Sequence, residues 1–163
     1  IIFTSNLGIY VEDKSGQRQL NATPGMTYDE VEKKIRQAIE DYFKYKLSRP
    51  EILNRIGDNI VVFNFIEKDI ARQIFEKMLT NVKQHVSDAH HVQLVVPQEI
   101  VNLLEGFVLA DLGNGGRGIG NKLETCFINP LARAMFSLDL EDLEKVTVKS
   151  LQIKDSVYCV EVS

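Results

Sequence analysis

The sequence predicts a mixed α/β chain organised as two units, and three observations lead there. Its 163 residues, 44% of them hydrophobic, are enough for one ordinary domain or two small ones with a sizeable core. Short β-branched runs alternate along it with amphipathic stretches at helical spacing. Near Phe65 to Lys68 the pattern changes: two strands and a helix give way to a self-contained order of helix, strand, helix, helix and hairpin. The boundaries expected from this are 1–66 and 67–163. The first unit, with so few elements, is too small for a proper core, which predicts that the chain is a fragment of a larger protein.

In chain order, Ile1-Ile2-Phe3 reads as a buried strand already under way at the first residue. The polar stretch from Thr4 to Met26, with Asp13-Lys14-Ser15-Gly16 and Pro24-Gly25 as turn signals, reads as a long loop. Thr27 and Glu30 form a capping box, and Val31, Ile35, Ala38, Ile39, Tyr42 and Phe43 then set one amphipathic helix over 28–47, ahead of Pro50. Ile60 to Phe65 fits a strand buried on both faces and paired beside the first. From Glu67 the stripe Ile70, Ala71, Ile74, Phe75, Met78, Leu79, Val82 predicts a second helix ending near His85. Val92 to Val96 is a compact strand, and Pro97 at a helix's first turn precedes a third helix carrying Ile100, Leu103, Leu104, Phe107 and Val108. After the glycine cluster at 113–118, Ile119, Leu123, Phe127, Ile128 and Leu131 resume helical spacing, with a kink expected at Pro130. Val146/Val148 and Tyr158/Val160/Val162 then alternate across a Lys154-Asp155-Ser156 turn as a terminal hairpin.

Composition narrows the function classes. Nineteen Lys plus Arg against 23 Asp plus Glu give a net charge of −4, which disfavours nucleic acid as a partner. No apolar run is long enough to span a bilayer and no basic n-region leads a hydrophobic start, so neither a membrane span nor a signal peptide is expected. Cys126 and Cys159 have no companion pair for zinc or a disulfide framework, and a reducing, cytoplasmic setting follows as the default. Gly113, Gly115 and Gly118 match G-x-G-x-x-G, but a helical pattern precedes them where a dinucleotide site needs a strand. His85, His90 and His91 do not fall on one helical face and read as exposed loop residues, so no metal site is expected. Cys126 reads as a core residue and Cys159 as a strand residue; the acidic run from Asp139 to Lys145 reads as a solvated turn. Without any Gly-Lys dipeptide there is no P-loop, and no strand ends in an Asp-Glu pair for Mg²⁺.

Three separated segments, taken in order, carry a resemblance. Ile1-Ile2-Phe3-Thr4-Ser5-Asn6-Leu7-Gly8 resembles the sensor-1 strand of Clp-type AAA+ ATPases. Arg49-Pro50-Glu51-Ile52-Leu53-Asn54-Arg55-Ile56 is similar to that family's Arg-Pro-Glu-Phe-Leu-Asn-Arg-Ile segment, whose second arginine is the arginine finger. Gly116-Arg117-Gly118-Ile119 is similar to sensor 2, and Asn129-Pro130-Leu131-Ala132 to an Asn-Pro-Leu-Ala of the chaperone branch. Ser48, Gly57 and Gly120-Asn121 depart from the family pattern.

The resemblance implies the C-terminal half of an AAA+ module. Residues 1–66 would be the tail of a P-loop-type large subdomain (strand, helix, strand), and 67–163 a small mixed α/β lid of about three helices and a small sheet. It implies a parent that is a ring-forming, hexameric, Mg-ATP-dependent protein unfoldase or disaggregase acting on protein substrates. The fragment alone would be inactive and bind ATP at most weakly. Asn6, at a strand end, would orient water or bind the γ-phosphate, or simply cap the following loop. Arg55 would enter the neighbouring subunit's site as a finger, or pair with Glu51 one turn earlier. Arg117, at a helix start, would bind phosphate within its own subunit, or be an ordinary exposed loop arginine. A degenerate paralogue, or an assembly module without ATPase activity, is the alternative. The tripeptide loop by which family members dock a peptidase has no counterpart between Glu67 and Ser163, which favours a chaperone working without one.

Overall fold

The computed structural model describes residues 2–13, 15–113, 115–140 and 143–163. Ile1 of the expected first strand, Lys14 of the expected turn, Asn114 of the glycine cluster, and Glu141 and Asp142 of the acidic run lie outside the described residues. The chain is mixed α/β and divides into two compact units, Ile1–Phe65 and Ile66–Ser163.

In the first unit, the stretch expected to be a loop contains a hairpin. Strand β1 (Tyr10–Glu12) pairs antiparallel with β2 (Arg18–Leu20), Tyr10 opposite Leu20 and Glu12 opposite Arg18. Asp13 builds the turn: its Oδ1 accepts from the Ser15 hydroxyl at 2.6 Å and from the backbone N–H groups of Ser15 and Gln17 at 2.8 and 2.9 Å. These bonds to the charged form hold the Asp13 carboxyl below its ordinary 3.8. Helix α1 (Tyr28–Asp41) starts at the expected capping box, with Glu30 Oε2 accepting from the Thr27 N–H at 2.9 Å and Thr27 Oγ1 accepting from the Glu30 N–H. It buries Val31 and Ile35 against Ala22 and Val62.

The expected single helix over 28–47 is not uniform. After Asp41 the backbone widens into a π-helical turn, Tyr42–Lys46, and the Leu47 N–H reaches back to the Tyr42 carbonyl. Pro50 opens a separate helix α2 (Pro50–Ile56), because the residue before a proline is driven out of the α region; Arg49 sits at φ −132°, ψ 59°.

Among the described residues neither expected strand of this unit forms. Residues 2–6 and 60–65 run without regular secondary structure and belong to neither sheet. A strand is defined by a ladder partner, and among the described residues these segments do not provide one for each other. The 60–65 segment is tied instead to α1: Arg36 donates to the Ile60 carbonyl at 2.7 Å and the Tyr28 hydroxyl to the Val62 carbonyl at 3.2 Å. Only Val62 is buried, while Val61 and Phe63 face outward.

The second unit packs helices against a three-stranded sheet. Helix α3 (Lys68–His90) runs past the expected end near His85 because Val86 extends its buried stripe of Ala71, Phe75 and Leu79; His91 ends it in the left-handed conformation, φ 59°. His85 and His90 are therefore exposed helix residues and only His91 lies beyond the helix, a correction to the loop expectation. Strand β3 (Gln93–Val95) leads to α4 (Gln98–Val108), with Pro97 just outside the helix at its cap.

After the glycine cluster come α5 (Gly115–Leu123), a π-helical turn at Glu124–Ile128, and α6 (Asn129–Phe136). The π turn is the local answer to Pro130. A proline ring collides with the carbonyl four residues back, and here the Asn129 N–H bonds five residues back, to Glu124, widening the turn ahead of the ring. The hairpin forms as expected: β4 (Lys145–Lys154) pairs antiparallel with β5 (Val157–Val162), and Asp155 and Ser156, at φ 48° and 65°, make the two-residue turn. β3 adds in parallel on the other edge of β4, giving the order β3-β4-β5. The core joins Phe75, Leu104, Ile119, Phe127, Val146 and Val148, all fully buried.

Candidate functional site

Each candidate residue is placed by its own unit, Asn6 and Arg55 in the first and Arg117 in the second. Asn6 is exposed and stands at a tight turn, not at the end of a paired strand: Ser5 Oγ accepts from the Leu7 N–H at 3.0 Å and the Asn6 carbonyl from the Ile9 N–H at 3.4 Å. Gly8 then passes close over α1 at φ 89°, where an added Cβ would lie 3.0 Å from the Ile35 carbonyl oxygen. Asn21 pins the crossing, its amide donating to the carbonyls of Gly8 at 2.9 Å and Lys34 at 3.0 Å. Gly8 and Asn21 thus set where Asn6 sits, and Asn21 carries no signal in the sequence that would have singled it out.

Arg55 lies in the last turn of α2, exposed. The ion pair with Glu51 is not made: Glu51 Oε1 is taken by Arg49 Nη1 at 3.3 Å. Arg55 makes no hydrogen bond or ion pair among the described residues, and α2 buries none of its side chains.

Arg117 occupies the first turn of α5, exposed and likewise without a partner among the described residues. The chain is steered into that turn by Asp111, whose Oδ1 accepts from the Gly113 N–H at 2.8 Å, and by Gly115, whose N–H bonds the Leu112 carbonyl at 2.9 Å. Gly115 has φ 58°, a conformation that favours glycine. Arg117 is therefore a helix residue and not a loop arginine.

One feature of the second unit has no sequence signal of its own. A groove of ≈ 830 Å³ is lined by Met78, Val82, Met135 and Phe136, with His85 and His90 also on its wall. Phe136 is 93% exposed there. The nucleophiles offer little: burial pushes the Cys126 thiol up to about 11, so it stays protonated at neutral pH. Among the described residues no group of three or more His, Cys, Asp or Glu stands ready to hold a metal ion, and no helix is long and apolar enough to cross a membrane. What each unit offers chemically is one guanidinium group at a helix end without a partner among the described residues, Arg55 in the first and Arg117 in the second, each suited to oxyanions.

No protein-family model matches the chain. Individual relatives do. Chaperone protein ClpB 1 of Thermosynechococcus vestitus is 28% identical over 91% of this chain and 15% of its own length. Heat shock protein 104 of Schizosaccharomyces pombe is 27% identical over the same shares. The ATP-dependent Clp protease ATP-binding subunit ClpC of Staphylococcus saprophyticus is 33% identical over 54% of this chain and 10% of its own length. The mixed α/β chain is thus homologous to Clp-type AAA+ ATPases over about nine tenths of its length. The two relatives matched over nine tenths of this chain are a chaperone protein and a heat shock protein, and the chain spans about 15% of the length of each.

Proposed function

We propose that this chain supplies the C-terminal half of an AAA+ module to a ring-forming, Mg-ATP-dependent protein-remodelling ATPase. Residues 1–66 are the tail of the large subdomain and 67–163 the lid. Asn6 acts as sensor 1, Arg55 as a finger reaching the site of the neighbouring subunit in a hexameric ring, and Arg117 as sensor 2 on the nucleotide of its own subunit. Bound Mg-ATP supplies the phosphoryl group and the charge-neutralising metal. The P-loop that would cradle its phosphates is not in this sequence, and nothing in the chain binds ATP strongly alone. The setting is cytoplasmic and the substrates are other proteins.

The observation that carries this reading is the freedom of the two arginines. Glu51, the natural partner for Arg55 one turn away, pairs with Arg49 instead, and Arg55 has no partner among the described residues, on a helix that buries none of its side chains. A guanidinium in that state can stabilise charge spreading over the phosphoryl oxygens, a contribution worth ~10³–10⁵ in rate for known fingers. Arg117 has its own charge and the positive end of α5 to attract a phosphate.

The test separates the two roles in the intact polypeptide that carries this chain. Arg117→Ala is expected to weaken ATP binding or its coupling to lid movement. Arg55→Ala is expected to leave binding nearly intact and lower turnover by at least ~10³. In mixed rings, an Arg55→Ala subunit should regain activity at its own site beside a neighbour with Arg55 intact. Activity that follows only the arginine of the same chain removes the finger assignment. A second reading, an assembly module that has lost ATPase activity, is favoured by the departures at Ser48 and Gly57, both with positive φ around α2. It predicts no turnover even in the intact wild type.

A further inference from the structure

Arg117 is carried by a helix that contains Gly115, Gly116, Gly118 and Gly120 among its nine residues. Each interior glycine lowers the helix-winding equilibrium about four- to fivefold relative to alanine. Packing does not require glycine at two of these positions. A Cβ on Gly116 would lie 3.6 Å from Ile66 Cδ1 and 3.9 Å from Ile74 Cδ1, and one on Gly120 would lie 3.6 Å from Met78 Cε, all ordinary contacts. Gly115 alone is set apart by its φ of 58°. The side chains that α5 buries, Ile119 and Leu123, lie toward its far end, where the chain runs on through the π turn into α6. Before Ile119 no side chain of α5 is buried.

We infer that the amino-terminal part of α5 is a helix–coil switch that regulates Arg117, wound when Arg117 holds a phosphate and prone to unwind when it does not. The inference rests on the assignment of Arg117 to a phosphate. A phosphate there meets the positive helix end and the first-turn N–H groups only in the wound form, so binding and winding are linked. Nucleotide affinity is then reduced by the fraction of time the segment is unwound. The glycines set that fraction, and alanine in their place removes part of the reduction.

Amide hydrogen exchange reads the equilibrium directly. In the 163-residue chain without nucleotide, residues 116–120 should exchange faster than the middle of α3, and Gly116→Ala/Gly120→Ala should slow them by roughly 15-fold or more while leaving α3 unchanged. The single Gly116→Ala, expected to slow them about fourfold, serves if the double variant folds poorly. Exchange at 116–120 unaltered by either variant overturns the switch. In the intact polypeptide, saturating Mg-ATP should slow exchange at 116–120 in the wild type more than in the alanine variant. If Arg117→Ala weakens ATP binding yet ATP leaves that exchange unchanged, the switch is wrong and the Arg117 assignment stands. If Arg117→Ala leaves ATP affinity untouched, the assignment fails and the coupling falls with it.

Discussion

The two units solve the same problem, burying apolar surface, to very different degrees. The second joins helices and a three-stranded sheet around fully buried Phe75, Leu104, Ile119 and Phe127, with Val146 and Val148 from the central strand. The first buries Ala22, Val31, Ile35 and Val62, and leaves Phe3 88%, Phe63 84% and Tyr45 76% exposed. Its order depends on polar devices: the Asp13 turn, the Asn21 clamp, the Thr27–Glu30 box and the Arg36 bond to Ile60. Hydrophobic burial stabilises in proportion to area, whereas hydrogen bonds at exposed sites contribute little net. The second unit is therefore expected to be the more stable one, and the first to owe its apolar faces to whatever surface they meet.

The largest expected effect tests that difference. Phe127→Ala removes a fully buried ring in the π turn and should cost about 3–5 kcal/mol. Urea unfolding should show the loss in the transition that exposes Cys126, whose buried thiol is alkylated only once the second unit opens. Cys159, half-buried on β5, should be labelled earlier. Val31→Ala should leave the Cys126 transition where it is. If Val31→Ala and Phe127→Ala shift one shared transition equally, the units do not fold separately.

The same contrast explains which features were legible in the sequence. The Thr27–Glu30 box and the Asp155-Ser156 hairpin are local: their chemistry lies within a few residues, so sequence reading finds them. The β1–β2 hairpin has no such signature because Glu12, Arg18 and Gln19 offer no apolar alternation, and its turn is organised by one carboxylate. The 60–65 segment has the composition of a strand without being one, because β-branched composition describes a surface, while a strand needs a neighbour that no local pattern supplies. Both π turns lie just ahead of a proline; the sequence announces the proline and not how the backbone accommodates it. Arg55 and Arg117 could be picked out as candidates, but their lack of partners could not. Spacing favours Arg55, four residues on, as the partner of Glu51, whereas the side chains pair Glu51 with Arg49, two residues back.

A smaller effect sharpens the comparison inside the first unit. Thr27→Ala removes the acceptor for the Glu30 N–H and should cost about 1 kcal/mol. Because the core behind α1 is small, the loss should appear as faster amide exchange along 28–35, with α3 and α4 unchanged. An equal loss of protection in α4 would mean that the two units share one cooperative core.

The smallest expected effect is acid sensitivity, and it too belongs to the first unit. The Asp13 carboxyl is lowered first by the Ser15 hydroxyl and then by the N–H groups of Gln17 and Ser15. Glu30 is lowered from 4.5 chiefly by the Thr27 N–H and then by the Thr27 hydroxyl. A carboxyl depressed in the folded state contributes stability that is present above its unfolded value and lost as pH falls through its folded value. The Asp13 contribution is therefore intact above 3.8 and the Glu30 contribution above 4.5, and both fade at lower pH. In the second unit Arg72 and Cys126 are shifted upward instead, so both keep their protons throughout this acid range. Amide NMR titration should find the Ser15 and Gln17 resonances moving with a midpoint below 3.8 and that of Thr27 below 4.5. Midpoints at or above those values would mean that the carboxylates do not hold the turn and the cap in solution, and that the first unit's order has another source.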